Sequence, residues 1–226
     1  MSFIVKNTTL PNLLDLIAPH SCRGCSRLGK VLCERCKNNI ILCHQNFCPN
    51  CKAKTIDGKC KKCKNLPPTF VVSRRTGLIG ELIHDFKYNS VRALSSPLAD
   101  ILDSILPKTP QNTIIVPLPT IHRHIRERGL DHTYLIAKKL GRIRRCPVQK
   151  ILIRHKNTVQ VGADQKTRLA QAKSAYEISS KTQIDKTATY ILLDDVWTTG
   201  ASMKSAIKKL RNTGARKIIV VLLAVS

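Results

Sequence analysis

The chain has 226 residues, with 39 Lys and Arg against 14 Asp and Glu and a formal net charge of +25. That length excludes a large multidomain assembly and leaves room for one ordinary domain beside a small one. The charge points to an anionic partner, with ordinary solvated basic faces as the alternative reading. Self-repulsion of this size is relieved by a polyanion, with nucleic acid the first class and an anionic membrane face the second.

The charge is uneven: residues 22–75 carry a net +11, residues 120–156 a net +9, and residues 200–217 six cations with no acid. A partner tracked along its backbone suits that spread better than one small anion. Phe, Tyr and Trp number 4, 4 and 1, so stacking platforms are scarce and phosphate contacts should dominate, with little sequence preference.

The N-terminus alternates apolar and polar residues too soon for a secretory core, and the apolar run 218–225 is too short to span a membrane. A cytoplasmic protein is expected, peripheral at the inner membrane if its basic surface meets lipid. In that compartment thiols stay reduced, so closely spaced cysteines read as metal ligands.

In chain order, four Cys-x-x-Cys pairs come first: Cys22/Cys25, Cys33/Cys36, Cys48/Cys51 and Cys60/Cys63. Two such turns close a tetrahedral four-sulfur site, so two structural zinc ions are expected. The short gaps favour sequential pairing into two ribbons, with an interleaved pairing the alternative. Four sulfurs leave no open position for catalysis. Cys43, His44 and Cys146 read as packing residues.

Lys64-Asn65-Leu66-Pro67-Pro68 stops regular structure and marks a hinge. The organisation expected is an N-terminal segment and double zinc ribbon over 1–65, a linker over 66–75 and a larger domain over 76–226, with a first strand near Phe70. The spacing then predicts helices over 80–87, 97–106, 130–140 and 202–212, and strands over 113–118, 147–153, 190–193 and 218–225. His122 and His124 read as a solvated loop. The last strand is apolar on both faces and belongs inside a parallel sheet, so the domain reads as α/β with flanking helices.

The loop Asp194-Asp195-Val196-Trp197-Thr198-Thr199-Gly200-Ala201-Ser202 joins a strand to a helix. Ligands of open parallel sheets sit beyond the carboxyl ends of strands. Thr198, Thr199 and Ser202 supply hydroxyls, Gly200 allows close backbone approach, and the helix N-terminus adds free N–H groups. Together these make a phosphate socket. Adjacent carboxylates suit vicinal hydroxyls, each accepting one hydrogen bond. Phosphate at one end and a diol at the other describe a ribose 5-phosphate. The competing reading is an ordinary helix cap behind two exposed acids.

This loop resembles the PRPP signature of type I phosphoribosyltransferases. Taken with the four cysteine pairs, Asp85-Phe86-Lys87-Tyr88, Val116-Pro117-Leu118-Pro119, Arg126-Glu127-Arg128-Gly129-Leu130 and a Gln160 to Arg168 segment, the chain resembles the ComF/ComFC family over nearly its full length. The resemblance implies a double zinc ribbon before a type I phosphoribosyltransferase-like domain, and a role in DNA uptake during natural transformation, alongside other uptake components at the inner membrane face.

By position it assigns Asp194 and Asp195 to the ribose hydroxyls, and Val196, Thr198, Thr199, Gly200, Ala201 and Ser202 to the 5-phosphate loop. Pro119 and Thr120 would approach the pyrophosphate of PRPP bound with Mg. Arg126, Arg128 and Arg168 match recurrent arginines of the family. With Arg123, Arg154 and Lys156 they form the expected contacts to single-stranded DNA. Leu130-Asp131-His132, Gln171, Trp197 and Ser202 depart from the family pattern and put acceptor specificity in question.

Two functions follow: a DNA-handling protein that binds PRPP or a related ligand, or an active phosphoribosyltransferase acting on a base, amine or nucleic-acid acceptor. A third is an assembly protein whose ribbon docks another component. Lys87 reads either as a ligand contact or as a cap of its helix.

Overall fold

A computed structural model describes residues 20–154, 176–180 and 182–226. Lys156 and Arg168, to which sequence assigned a nucleic-acid role, and Gln171 lie outside the described residues.

After the first cysteines come α1 (Glu34–Leu42), β1 (Thr69–Arg74), α2 (Gly77–Tyr88), α3 (Ser95–Ile105) and β2 (Thr113–Pro117). Then follow α4 (His122–Arg128), α5 (His132–Arg144), β3 (Leu152–Arg154), β4 (Tyr176–Ile178), β5 (Thr189–Trp197), α6 (Ala201–Asn212) and β6 (Lys217–Val225). The main sheet has the order β1-β6-β5-β2, all parallel. β3 and β4 pair antiparallel as a separate ribbon.

Strand periodicity builds two cores from one sheet, because successive side chains leave on opposite faces. Ile191 and Leu193 of β5, with Val221 and Leu223 of β6, pack under α2, α3 and α5 through Leu82, Phe86, Leu98, Ile101, Leu102, Ile136 and Leu140. Tyr190 and Leu192, with Ile218, Val220 and Leu222, pack under α6 through Met203, Ala206, Ile207 and Leu210. Each large side chain buried this way contributes about 1.5–3 kcal/mol. Both central strands are therefore apolar on both faces, as expected for a sheet covered by helices on each side.

Three expectations need correction. The strand expected near Phe70 is β1, an edge strand registered on β6 from Thr69↔Val220 to Arg74↔Val225, and it takes up most of the stretch expected as a linker over 66–75. His122 to Arg128 form the short helix α4, stopped by Gly129 in the left-handed region (φ 66°), where a loop was expected. The strand expected over 147–153 is broken: Val148 makes a single parallel bridge to Ile115, and β3 begins at Leu152.

The cysteine module is seated on the domain. Cys22, Val31, Leu32 and Cys36 are buried in the same core as Leu82 and Phe86. Lys37 Nζ meets Asp100 Oδ2 at 3.1 Å and Arg23 Nε meets Asp85 Oδ2 at 3.0 Å. The second half docks on the other side, where Thr69 N donates to Gly58 O at 2.9 Å. Among the described residues no helix is long and apolar enough to cross a membrane.

Candidate metal and ribose phosphate sites

The eight sulfurs form two sequential groups, Cys22/Cys25/Cys33/Cys36 and Cys48/Cys51/Cys60/Cys63, with the ligand atoms of each within 4.8 Å of one another. Each group has the composition of a four-sulfur metal site. They are built differently. In the first, Cys33 stands at the N-cap of α1 and Cys36 lies in its first turn. The helix dipole and free N–H groups there favour thiolate. Sequence missed α1 because the cysteine spacing dominates that stretch.

Within each group the thiols are driven apart. Burial pushes Cys22 up, but N–H donors from Cys33, Gly24 and Cys25 outweigh it and bring the thiol down to about 6. Burial and the neighbouring sulfurs push Cys36 up to about 12. Burial raises Cys48 to about 12, whereas N–H donors of Cys63 and Lys62 and the Cys51 thiol lower Cys60 to about 7 against burial. Four such sulfurs can all be thiolates only around a cation, so this donor set fits a divalent metal. His44 is engaged elsewhere, with Nδ1 3.1 Å from Val72 O and Nε2 3.2 Å from Asn46 Oδ1.

The second site lies at the carboxyl end of β5. Its turn is fixed by Gly200, at φ 75°, with the Trp197 ring packed against it. A Cβ there would lie 2.8 Å from Trp197 Nε1 and nearer still to two other ring atoms. Only glycine meets both conditions. Thr198 and Thr199 are exposed, and Thr199 Oγ1 accepts from Ala201 N at 3.3 Å. Among the described residues the Ser202 and Met203 N–H groups have no partner within the chain, leaving donors at the N-terminus of a twelve-residue helix. Val196 packs into the core, so its side chain faces away from this loop.

Tyr176 of β4 closes the loop from above. It is 2% exposed, its hydroxyl lies beside Ser202, and that oxygen makes no well-formed hydrogen bond among the described residues. Burial raises its pKa. Opposite it in register, Arg154 has its guanidinium 5.7 Å from the Tyr176 ring centre.

The two acids of the pair have different surroundings. Consecutive strand residues face opposite sides of the sheet. Asp194 lies with Arg154 and Tyr176; its Oδ1 accepts from Asp195 N at 2.9 Å, and burial, then the Asp195 charge, push its pKa up to about 8. Asp195 is held by Lys87 at 2.7 Å, with those side chains 13% and 14% exposed. Lys87 therefore acts as counter-charge to the pair, a contact that sequence could not place. His132, 2% exposed with its ring edge-on to Phe86, is kept in its neutral form by burial and then by Arg128.

Pro119 and Thr120 stand beside this site at the end of β2. They line a cavity of about 320 Å³ with Leu152, Ile125, Asp131, Lys150 and Arg154. Asp131 organises one wall. Its Oδ1 caps α5 by accepting from Tyr134 N at 3.2 Å and accepts from Thr120 Oγ1 at 3.2 Å, while Oδ2 meets Lys150 at 3.4 Å. The arginines assigned to nucleic acid scatter. Arg123 pairs with Glu127 at 2.6 Å, Arg126 is exposed, Arg128 stacks on Tyr88 at 4.8 Å, and Arg154 turns toward the loop.

Comparison with known proteins agrees with this architecture. A profile of the phosphoribosyl transferase domain matches residues 125–225. Competence protein ComFC of Bacillus subtilis (strain 168) is 23% identical over 198 residues, covering 81% of this chain and 79% of that protein. Competence protein F of Haemophilus influenzae (strain ATCC 51907 / DSM 11121 / KW20 / Rd) is 26% identical over 214 residues, covering 88% and 93%. Over most of its length the chain resembles these ComF/ComFC proteins. The profile match begins within α4 and runs through β6, so it includes the β5–α6 loop. The ComF/ComFC relatives extend the likeness over most of the chain.

Proposed function

We propose that this protein serves DNA uptake in natural transformation, binding PRPP or a related ribose 5-phosphate at the β5–α6 loop and single-stranded DNA on its basic surface. The competence names of its relatives support the cellular role. One observation carries the ligand: a glycine-bound turn at the N-terminus of a twelve-residue helix, with the buried Tyr176 hydroxyl beside Ser202. A phosphate oxygen would accept from the Ser202 and Met203 N–H groups. Asp194 and Asp195 would reach the ribose hydroxyls from either side of the strand, with Mg accompanying the pyrophosphate. Zinc is the metal proposed for both four-sulfur groups, as a structural ion.

The test is calorimetric titration with PRPP and Mg²⁺ of the wild type and of Asp194→Asn/Asp195→Asn. Binding by the wild type and loss in the variant support the assignment. Absence of binding by either removes PRPP as the ligand. DNA affinity should fall steeply with salt; an affinity unchanged between low and moderate salt would sink that part.

The cavity beside Thr120 favours a second reading, active phosphoribosyl transfer. Its apolar walls at Leu118, Ile125 and Leu152, with Asp131 and Lys150, have the makeup of a pocket for a small acceptor. Pyrophosphate release on addition of a base, amine or nucleic acid would establish transfer; none with any acceptor would leave binding alone.

A further inference from the structure

A groove of about 630 Å³, roomier than the cavity beside Thr120, lies between the second cysteine group and the outer side of α6. Lys204, Lys208 and Arg211 reach it from α6, at spacings of four and three that keep them on one helical face. Lys62 and Lys64 face them from the cysteine module. No acid lines the groove, and none of the five cations has an ion-pair partner among the described residues.

The two walls are held in register. Lys204 Nζ donates to Asn50 Oδ1 at 2.5 Å, and Asn50 Nδ2 donates to Cys63 Sγ at 3.3 Å, so metal-site sulfur and α6 share one amide. Farther along, Arg211 Nη1 donates to Asn65 O at 2.8 Å. The seam is thus a fixed trough rather than a set of solvated lysines. Some cations elsewhere are paired with acids: Arg144 with Asp103, Lys37 with Glu34 and Asp100, and Arg123 with Glu127.

We propose that this seam is the track for the phosphodiester backbone of a single-stranded nucleic acid. The proposal rests on the nucleic-acid reading above and moves its principal contact away from the α4 arginines. Three cations along α6 span about 10 Å at 1.5 Å per residue, which suits successive phosphates better than one. No aromatic ring lines the trough, so contact is to backbone charge and not to stacked bases. The same helix presents free N–H donors at its first turn, so phosphate-recognising groups continue from the ribose phosphate loop into the seam.

The experiment uses the full metal-loaded chain and a fluorescent single-stranded oligodeoxynucleotide, with affinity measured by anisotropy across a salt series. Lys62→Ala/Lys64→Ala/Lys208→Ala removes three seam charges that make no hydrogen bond among the described residues. Loss of three phosphate contacts should lower the slope of log affinity against log salt by about 2 and weaken binding at least about tenfold at low salt. Lys-to-Arg replacement at the same three positions should restore both. PRPP titration and metal content should match the wild type, which separates this outcome from failure of the ribose phosphate reading.

A triple variant with unchanged slope overturns the seam assignment while leaving DNA binding in place. A wild type that binds no oligonucleotide overturns both. Loss of sedimentation with anionic vesicles, with oligonucleotide binding intact, would assign the seam to lipid and overturn the proposal. An oligoribonucleotide run in parallel distinguishes DNA from RNA, whose backbone charge is the same.

Discussion

Gly200→Ala is the substitution that tests the packing of the β5–α6 loop most directly. Two costs add. An L-residue at φ 75° loses about 1–2 kcal/mol against glycine. The added methyl also overlaps the Trp197 ring, 2.8 Å from Nε1, and overpacking of a buried ring costs about 1–3 kcal/mol. The sum, about 2–5 kcal/mol, is a large share of a domain's usual stability of about 5–15 kcal/mol.

Trp197 is the chain's one tryptophan, so its fluorescence follows this loop during urea unfolding. With a slope near 3 kcal/mol per molar urea, the midpoint should fall by about 1 M. The two costs separate in a cycle with Trp197→Leu. Without the ring only the backbone cost should remain, giving a coupling of about 1–3 kcal/mol. A Gly200→Ala protein within about 0.5 kcal/mol of wild type, or the same cost in both backgrounds, would refute the packing argument.

Three further outcomes are expected. Lys87→Met should destabilise by about 1–3 kcal/mol, because Asp195 loses its charged partner at 2.7 Å while still adjoining Asp194; Lys87→Arg should recover part of it, read by the same unfolding assay. Asp194 has a raised folded pKa of about 8, so its stabilising contribution is full below the unfolded value near 4 and is lost as pH rises toward 8. Asp194→Asn should therefore gain stability relative to wild type between pH 5 and pH 8, and a constant difference would count against that burial. Metal analysis should find two ions per chain and one in Cys25→Ser/Cys33→Ser, since both sulfurs serve the first group; loss of both ions would indicate interleaved pairing.

Local chemistry was legible in the sequence wherever it depends on neighbours along the chain. Cysteine spacing sets which sulfurs can converge. A strand, a glycine turn and a helix start set where free N–H groups collect. Apolar runs on both faces of 190–193 and 218–225 set a covered parallel sheet, because an exposed face there would leave those side chains in water. α1 escaped notice because its polar surface gives a weak apolar stripe beside the stronger cysteine pattern.

Side-chain partners across the sheet depend on register and packing, which no local pattern contains. Residue type alone pairs Asp194 with Asp195 but does not say what each one meets. Strand alternation sends them to opposite sides, one toward Arg154 and Tyr176, the other to Lys87, which lies 108 positions earlier in the sequence. Likewise, charge counts along the chain found three basic stretches, but only docking of the second cysteine group on α6 brings Lys62 and Lys64 opposite Lys204, Lys208 and Arg211. Composition fixed how much charge the protein carries; the tertiary contact decided where it converges, because like charges share a trough only when hydrogen bonds such as Asn50 to Lys204 hold the walls together.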